Sequence, residues 1–356
     1  TPLYPAERLG QSIGLRNLYL KDDTINPSAS SKDRASAFAV MRALDSGAET
    51  IAVASTGNAG SSLACVAAAA GIKAVVFVPE SAPVAKLTQA LSFGATVLAV
   101  RGSYDDAFEI CLSAASEFGW FNRSTGINPF TREGKKICAW EIWASLDGRV
   151  PDRVVVPTGD GNLLSAMWKG WWELKAVGLI DRLPKIDCAQ SLGSAAISRT
   201  VHRIRNSEST NVRWSAVDVE TVNASTVADS ISVDRPRDGL AAVRAIIESG
   251  GEAIAVPDAD ILAAIPEMAS LSGVFPEPAA AAPWAAVKQL VSDGKIAADE
   301  LVVCLVSGNG LKDVAAAQSA VGQPQLIDLS LDAVKAAVFD NRPAPARKRT
   351  ESSKHR

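Results

Sequence analysis

From Asp33 onward the chain alternates between two hydrophobic periods, and that alternation restricts the fold more than any single motif does. A helix to about Ser46, closed by Gly47, gives way to the apolar run TIAVAS. The turn STGNAG leads into a small-residue helix, SSLACVAAAAG, and KAVVFVPE, a helix over PVAKLTQALSFG and the run ATVLAVRG follow. Strands alternating with helices of this length need a parallel sheet with helical crossovers. After a helix around 105–118, the stretch WFNRSTGINPFTREGKK reads as irregular and extended, and a second alternating series runs from RVVVPTGDGNLL to LVVCLVSGNGLKD. The predicted class is α/β: two open twisted parallel-sheet lobes with a cleft between them, the usual place for a ligand in such sheets. The expected division is a smaller lobe over 35–144, a larger lobe over 1–34 and 145–335, and a C-terminal segment over 336–356.

Composition removes several function classes. With 356 residues and 47% hydrophobic content the chain can bury a large core. No run approaches the roughly 18–20 apolar residues of a membrane span, and the opening TPLYPAERLG is unlike a signal peptide, so a soluble, cytoplasmic protein is expected. Five cysteines, Cys65, Cys111, Cys138, Cys188 and Cys304, stand far apart in apolar surroundings with no CxxC pair, and read as buried free thiols. Only His202 and His355 are present, so Ser-His-Asp or Cys-His chemistry has almost nothing to work with. Proton transfers fall instead to Lys, Ser, a carboxylate or a cofactor. The last sixteen residues, NRPAPARKRTESSKHR, hold six Lys/Arg against one Glu and leave a body of formal charge −8 beneath the overall −3. That tail is expected to be a solvated extension open to an anionic contact, with no nucleic-acid or membrane role for the body. Trp168, Trp171 and Trp172 fall on about one helix face and read as core or dimer packing.

The chemistry gathers at a lysine and three corners. In INPSASSKDRA, Lys32 is either a surface charge at a helix start or a working amine. In VVVPTGDGNLLSAMWKG, residues 158–162 turn from a strand into a helix, and free amides at a helix N-terminus beside glycines suit a phosphate. The same glycines would serve any tight turn, and the pattern is neither a Walker loop nor GxGxxG. In AVASTGNAGSSLA, Ser55, Thr56, Gly57 and Asn58 add hydroxyls and an amide to backbone donors, which suits a carboxylate. In CLVSGNGLKD, Ser307 ends an apolar strand, either as a cap or as the partner of a buried heteroatom. Phosphate site, carboxylate site, amine and ring-nitrogen partner are together the parts that hold pyridoxal phosphate and an amino acid.

In order, TPLY, NPSASSKDR, STGNAGSSLA, FGATV with YDDAF, NPFTREGKK, VPTGDGNLLSAMWKG, SGVFPEPAAAA and SGNGLKD cover the chain to about Asp313. In these motifs the chain resembles the fold-type II pyridoxal-phosphate enzymes of the tryptophan synthase beta subunit superfamily, and most closely threonine synthase and its relatives. The resemblance implies pyridoxal 5'-phosphate as cofactor, carried on Lys32, which later shuttles protons. It implies that Asn58 bonds the ring's phenolic oxygen, that Gly159, Asp160, Gly161, Asn162 and Leu163 wrap the phosphate, and that Ser307 faces the pyridine nitrogen. A neutral hydroxyl there suits elimination and replacement at Cβ or Cγ better than transamination. It also implies that Ser55, Thr56, Gly57 and Asn58 receive the carboxylate of an amino-acid substrate, and that the protein is a homodimer.

The chain departs from the family's pattern at several points. Ala29 stands for a Gly and Ser31 for a Phe, Thr125-Gly126 for an Asn-Ser pair, Ser272 for a Glu, and Thr131 for the Arg that grips the substrate phosphate. Arg132 falls one residue later, and Lys135 and Lys136 are further candidate cations. Thr131 and Arg132 are therefore the expected positions on the substrate side. Two reactions follow from the resemblance: threonine and phosphate from O-phosphohomoserine and water, or β-elimination or β-replacement on another amino acid such as serine, threonine, phosphoserine or an O-acyl serine. A non-catalytic ligand-binding protein on the same fold is the reading of another class.

Overall fold

Buried on nearly every side chain, TIAVA at Thr50–Ala54 and KAVVFVP at Lys73–Pro79 have the continuous apolar character of strands covered on both faces. They are two of ten strands in the computed structural model, which describes residues 1–207 and 212–340; the basic tail at 341–356 lies outside them. In chain order the strands are β1 (Leu3–Pro5), β2 (Asn17–Asp22), β3 (Thr50–Ala54), β4 (Lys73–Pro79), β5 (Thr96–Val100), β6 (Phe121–Asn122), β7 (Arg153–Pro157), β8 (Lys185–Ser191), β9 (Ala253–Val256) and β10 (Leu301–Val306). The helices are α1 (Glu7–Gln11), α2 (Lys32–Asp45), α3 (Asn58–Ala70), α4 (Val84–Ser92), α5 (Tyr104–Glu117), α6 (Phe130–Ser145), α7 (Asn162–Ala176), α8 (Ala196–Arg205), α9 (Gly239–Ser249), α10 (Asp258–Ser272), α11 (Pro278–Ser292), α12 (Val314–Ser319) and α13 (Leu331–Lys335).

Two sheets result. One has the order β5-β4-β3-β6, all parallel; the other has β1-β2-β10-β7-β8-β9, parallel except for β1, which pairs antiparallel with β2. The β1 segment is a three-residue hairpin arm joined to β2 by only a short helix, so no crossover can turn it parallel. Non-sequential neighbours such as β2-β10-β7 bring corners distant in sequence to one sheet end, where they can form a common site. Thr1–Ala320 form one compact unit; from Val321 a second, small unit begins, whose described part is α13 followed by a single wide helical turn over Ala336–Asp340.

Two expectations need correction. The stretch 120–136 is not extended throughout: Asn128 Oδ1 accepts the Phe130 amide at 2.9 Å, Pro129 supplies a helical φ, and α6 begins at Phe130. Thr131 and Arg132 consequently lie about 100° apart on the first turn of a helix rather than on opposite sides of a strand. The three tryptophans, spanning about 100° of α7, are also not all core. Trp171 is fully buried, whereas its neighbour Trp172 is 57% exposed, so the stripe straddles the edge of the core. All five cysteines are free and buried. No helix among the described residues is long and apolar enough to cross a membrane.

Candidate active site

Lys32 is placed by a loop that is pinned from both sides. Ser31 N–H donates to Ser307 O at 2.7 Å and Asn309 N–H to Ala29 O at 3.1 Å, so the loop before α2 is sewn to the corner after β10. The left-handed turn this needs falls on Ala29 (φ 64°), the position where the related pattern has Gly; a Cβ there costs on the order of 1 kcal/mol. Asp33 closes the loop by accepting the Ser28 amide at 2.7 Å and the Ser28 hydroxyl. Lys32 is thereby left as the first residue of α2 with its side chain half-buried and Nζ bonded to no described residue. Burial lowers its pKa, Glu277 works against that shift, Arg123 adds to it, and Asp160 and Asp23 oppose it. A larger share of neutral amine, the nucleophilic form, follows.

Lys32 opens on a cavity of about 90 Å³ also lined by Gly159, Asp160, Gly161, Asn162, Leu163 and Ser307. Helix α7 points its N-terminus at this space. Its first flanking residue, Gly161, has φ +89° and offers no side-chain cap. A Cβ on Gly161 would lie 2.8 Å from Asp238 O, and one on Gly159 2.9 Å from Ile231 Cα, so only glycines allow this close turn. Asn162 and Lys135 stiffen the rim: Lys135 Nζ donates to Asn162 Oδ1 at 2.5 Å, and Asn162 Nδ2 to Asp238 Oδ2 at 2.6 Å. Burial, with Lys32 and Arg123 nearby, drives the Lys135 pKa well down, while Asp160 rises through burial despite the Arg237 amide. Ser307 follows β10 as a largely buried residue on this cavity, and no hydrogen bond of its hydroxyl falls among the described residues.

The Ser-Thr-Gly-Asn corner is linked to this cavity through Ser230, which lines it and bonds Asn58. Helix α3 starts at Asn58, and Asn58 Nδ2 donates to Glu277 Oε1 at 3.0 Å, Glu277 Oε2 at 3.1 Å and Ser230 Oγ at 3.2 Å. Glu277 is buried just before α11, its amide donating to Gly308 O. Burial raises its pKa, partly offset by Asn58 and Lys32. Gly57 and Asn58 line a second cavity of about 450 Å³ with Ser61, Gln89 and Lys312, and Ser55 lines a third of about 930 Å³. Thr56 lies beside them on the turn before α3. Thr131 and Arg132 line none of these three. Thr131 is fully buried, its Oγ1 donating to Asn128 O, and Arg132 is paired with Asp238.

A family model described as "Pyridoxal-phosphate dependent enzyme" matches residues 1–308. The chain belongs to that family. Among curated relatives, the protein named threonine synthase of Methanosarcina acetivorans is 39% identical over 340 residues, spanning 95% of this chain and 81% of that protein. The threonine synthase of Methanocaldococcus jannaschii is 38% identical, spanning 94% and 80%. Among solved structures, the processed form of threonine deaminase isoform 2 from Solanum lycopersicum superposes with a TM-score of 0.75 at 20% identity, covering 90% of this chain and 83% of that one. Maize serine racemase gives 0.74 at 19% identity, covering 90% and 91%. These structures share the fold-type II architecture of the family.

The chain's residues fit pyridoxal phosphate. An uncapped helix N-terminus behind two glycines, an unbonded amine of lowered pKa and a serine hydroxyl without a partner among the described residues surround one cavity. Sequence reasoning missed Glu277, Arg123, Ser230 and Lys312, which reach the site only through tertiary packing. Glu277 stands in SGVFPEPAAAA, and a buried acid before a run of alanines was the available signal. Glu277→Ala is expected to leave the Asn58 amide with Ser230 Oγ as its remaining partner and weaken cofactor binding about 10-fold, on the usual cost of a buried donor that loses its acceptor. Glu277→Gln, which still offers an acceptor, should retain most of the affinity; titration of the apoprotein with cofactor, followed by absorbance, distinguishes the two.

Proposed function

We propose that this pyridoxal-phosphate-dependent lyase of the threonine synthase type converts O-phosphohomoserine and water into threonine and phosphate. The observation that carries the reading is the placement of the Lys32 amine, the α7 N-terminus and Ser307 on one cavity, with the Asn58 corner linked to it through Ser230. Its support from likeness is 38–39% identity over most of the chain to two proteins named threonine synthase. When bound, the cofactor supplies an electron sink next to the substrate's Cα. Gly159, Asp160, Gly161, Asn162 and Leu163 hold its phosphate, Ser307 faces its ring nitrogen, and Asn58, kept in place by Glu277, meets its ring oxygen. Ser55, Thr56 and Gly57 take the substrate carboxylate at the start of α3, where amides and helix dipole favour an anion. Lys32 Nζ then removes and returns protons at the substrate carbons, a role its lowered pKa serves. A cytoplasmic homodimer is part of the proposal, and sedimentation equilibrium of the full chain should give the mass of two copies.

A second reading, elimination or replacement on another amino acid, draws on one observation: Thr131 is buried and Arg132 tied to Asp238. Supplying O-phosphohomoserine should release phosphate and threonine in equal amounts. Release of ammonia and a keto acid from serine or threonine at a higher kcat/KM would instead establish the second reading.

A further inference from the structure

The third cavity, of about 930 Å³, adjoins the Lys32 cavity, with Thr125, Asp160 and Val233 lining both, and Ser55 stands on its wall. Two arginines, Arg235 and Arg237, line it. Several other cations near the site are engaged, although among the described residues the buried Arg123 keeps Nη1 and Nη2 without a partner and Lys32 Nζ is unbonded. Arg132 is paired with Asp238, Lys135 is bonded to Asn162, and Lys136 is held by Glu133 and Glu173. The Arg237 guanidinium has no ion pair among the described residues and lies instead over the Phe108 ring, 3.9 Å from its centroid. Stacking of that kind fixes the plane of the group and leaves its N–H edge open to a forked contact with an anion.

The backbone has made room for this side chain. Gly126 has φ +81°, and a Cβ there would come within 2.9 Å of Arg237 Cβ and 3.0 Å of its Cδ. Arg237 is held from its other end by its own amide, which donates to Asp160 Oδ1 at 2.6 Å. The carboxylates on the same cavity leave the guanidinium unpaired. Asp160 accepts that amide and makes no ion pair with the guanidinium, although burial raises its pKa and the Arg237 charge works against that rise; Asp234 Oδ1 accepts the Ala224 amide at 2.7 Å, and Asp105 is exposed on the first turn of α5.

We infer that Arg237, seated against Gly126 and Phe108 beside Ser55 and Thr125, is the specificity residue that receives the phosphomonoester of the amino-acid substrate. The inference rests on the proposed phosphorylated substrate, and Arg237 does at this position what a threonine at 131 cannot. Arg235, two residues away on the same cavity, adds charge at the mouth.

The test uses holoenzyme, so that the α7 cradle is already filled. In Arg237→Ala, KM for O-phosphohomoserine and the inhibition constant of inorganic phosphate should both rise about 10- to 100-fold, the loss expected for a charge-assisted contact, with kcat changed far less. The Kd of L-threonine, read from the cofactor absorbance, should stay at the wild-type value, and Arg237→Lys should recover only part of the loss. Unchanged KM and phosphate inhibition in Arg237→Ala would overturn the inference, as would an equal weakening of threonine. If the wild-type enzyme does not turn over O-phosphohomoserine, the proposed reaction fails by itself. The same absorbance titration with O-phosphoserine and phosphate then judges Arg237: a 10-fold or greater difference between wild type and variant upholds it, and absence of phosphate-dependent binding in the wild type overturns it.

Discussion

Lys32→Ala should lose essentially all turnover, by more than about 10³-fold, the scale seen when an enzyme's covalent nucleophile is deleted, while remaining folded. The reason is geometric before it is chemical. The loop from Ser28 to Ser31 is pinned by Asp33 and by the β10 corner through bonds in which the Lys32 side chain takes no part. The amine therefore stabilises nothing; it is presented. Burial disfavours its charged form, so the folded-state pKa lies below the unfolded one. The unfolded chain binds the extra proton between those two values, and stability rises with pH across that window. At neutral pH the wild type carries a penalty that Ala removes, and in the cofactor-free form the Tm of Lys32→Ala should equal or exceed that of the wild type. Borohydride treatment followed by peptide mass analysis should fix the cofactor on Lys32 in the wild type and nowhere in the variant. A variant that is inactive because it unfolds, or one that is still labelled elsewhere with activity retained, would contradict the assignment of this amine.

Much of this was legible in the chain because it is local. The period changes that mark α2, β3, α3 and β4 lie within windows of a few residues, and the Gly-bearing corners follow directly from them. What was not legible depends on contacts between distant segments or on one hydrogen bond. Asn128 starts α6 by capping the Phe130 amide, and a charged stretch with two turn-forming residues gives no periodic hint of that helix. Glu277 reaches Asn58 across 219 positions, and Arg237 reaches Gly126 across more than a hundred. Neither partner's type alone announces the other. Thr131 marks in the sequence where the related pattern has a cation, but what else lines the cavity depends on where the loop carrying Arg237 lies in space.

The triplet Lys32-Asp33-Arg34 divides its labour, and its third member should give the largest stability effect. Arg34 forks twice: Nε and Nη2 donate to Asp23 Oδ2 and Oδ1, both at 2.8 Å, and Nη1 and Nη2 donate to Glu141 Oε1 and Oε2 at 2.9 and 2.7 Å. One side chain thus ties the end of β2 and the middle of α6 to the first turn of α2, with the fully buried Lys21 completing the cluster through Glu141 at 2.6 Å. Asp23 is itself fully buried. Arg34→Ala leaves it as a buried carboxylate without its counter-charge, a situation that costs about 3–5 kcal/mol. For a chain of this size that corresponds to a fall of roughly 4–7 °C in Tm. Arg34→Lys should recover only part of it, because an ammonium cannot fork to two carboxylates at once. The pH dependence separates this electrostatic role from simple packing. Burial alone would raise the Glu141 pKa, but the hydrogen bonds and charges of Arg34 and Lys21 outweigh it and hold the carboxyl well below the ordinary range. A depressed pKa contributes stability that is present above the unfolded carboxylate value and is lost as pH falls through the folded one. The Tm gap between wild type and Arg34→Ala should therefore be widest near neutrality and narrow steadily toward acid. A gap that does not change with pH would mean that Arg34 acts through its packed stem. Below its transition the variant should still be labelled by cofactor and borohydride at Lys32, since the bonds that place that amine run through Asp33 and Ser307 and not through Arg34.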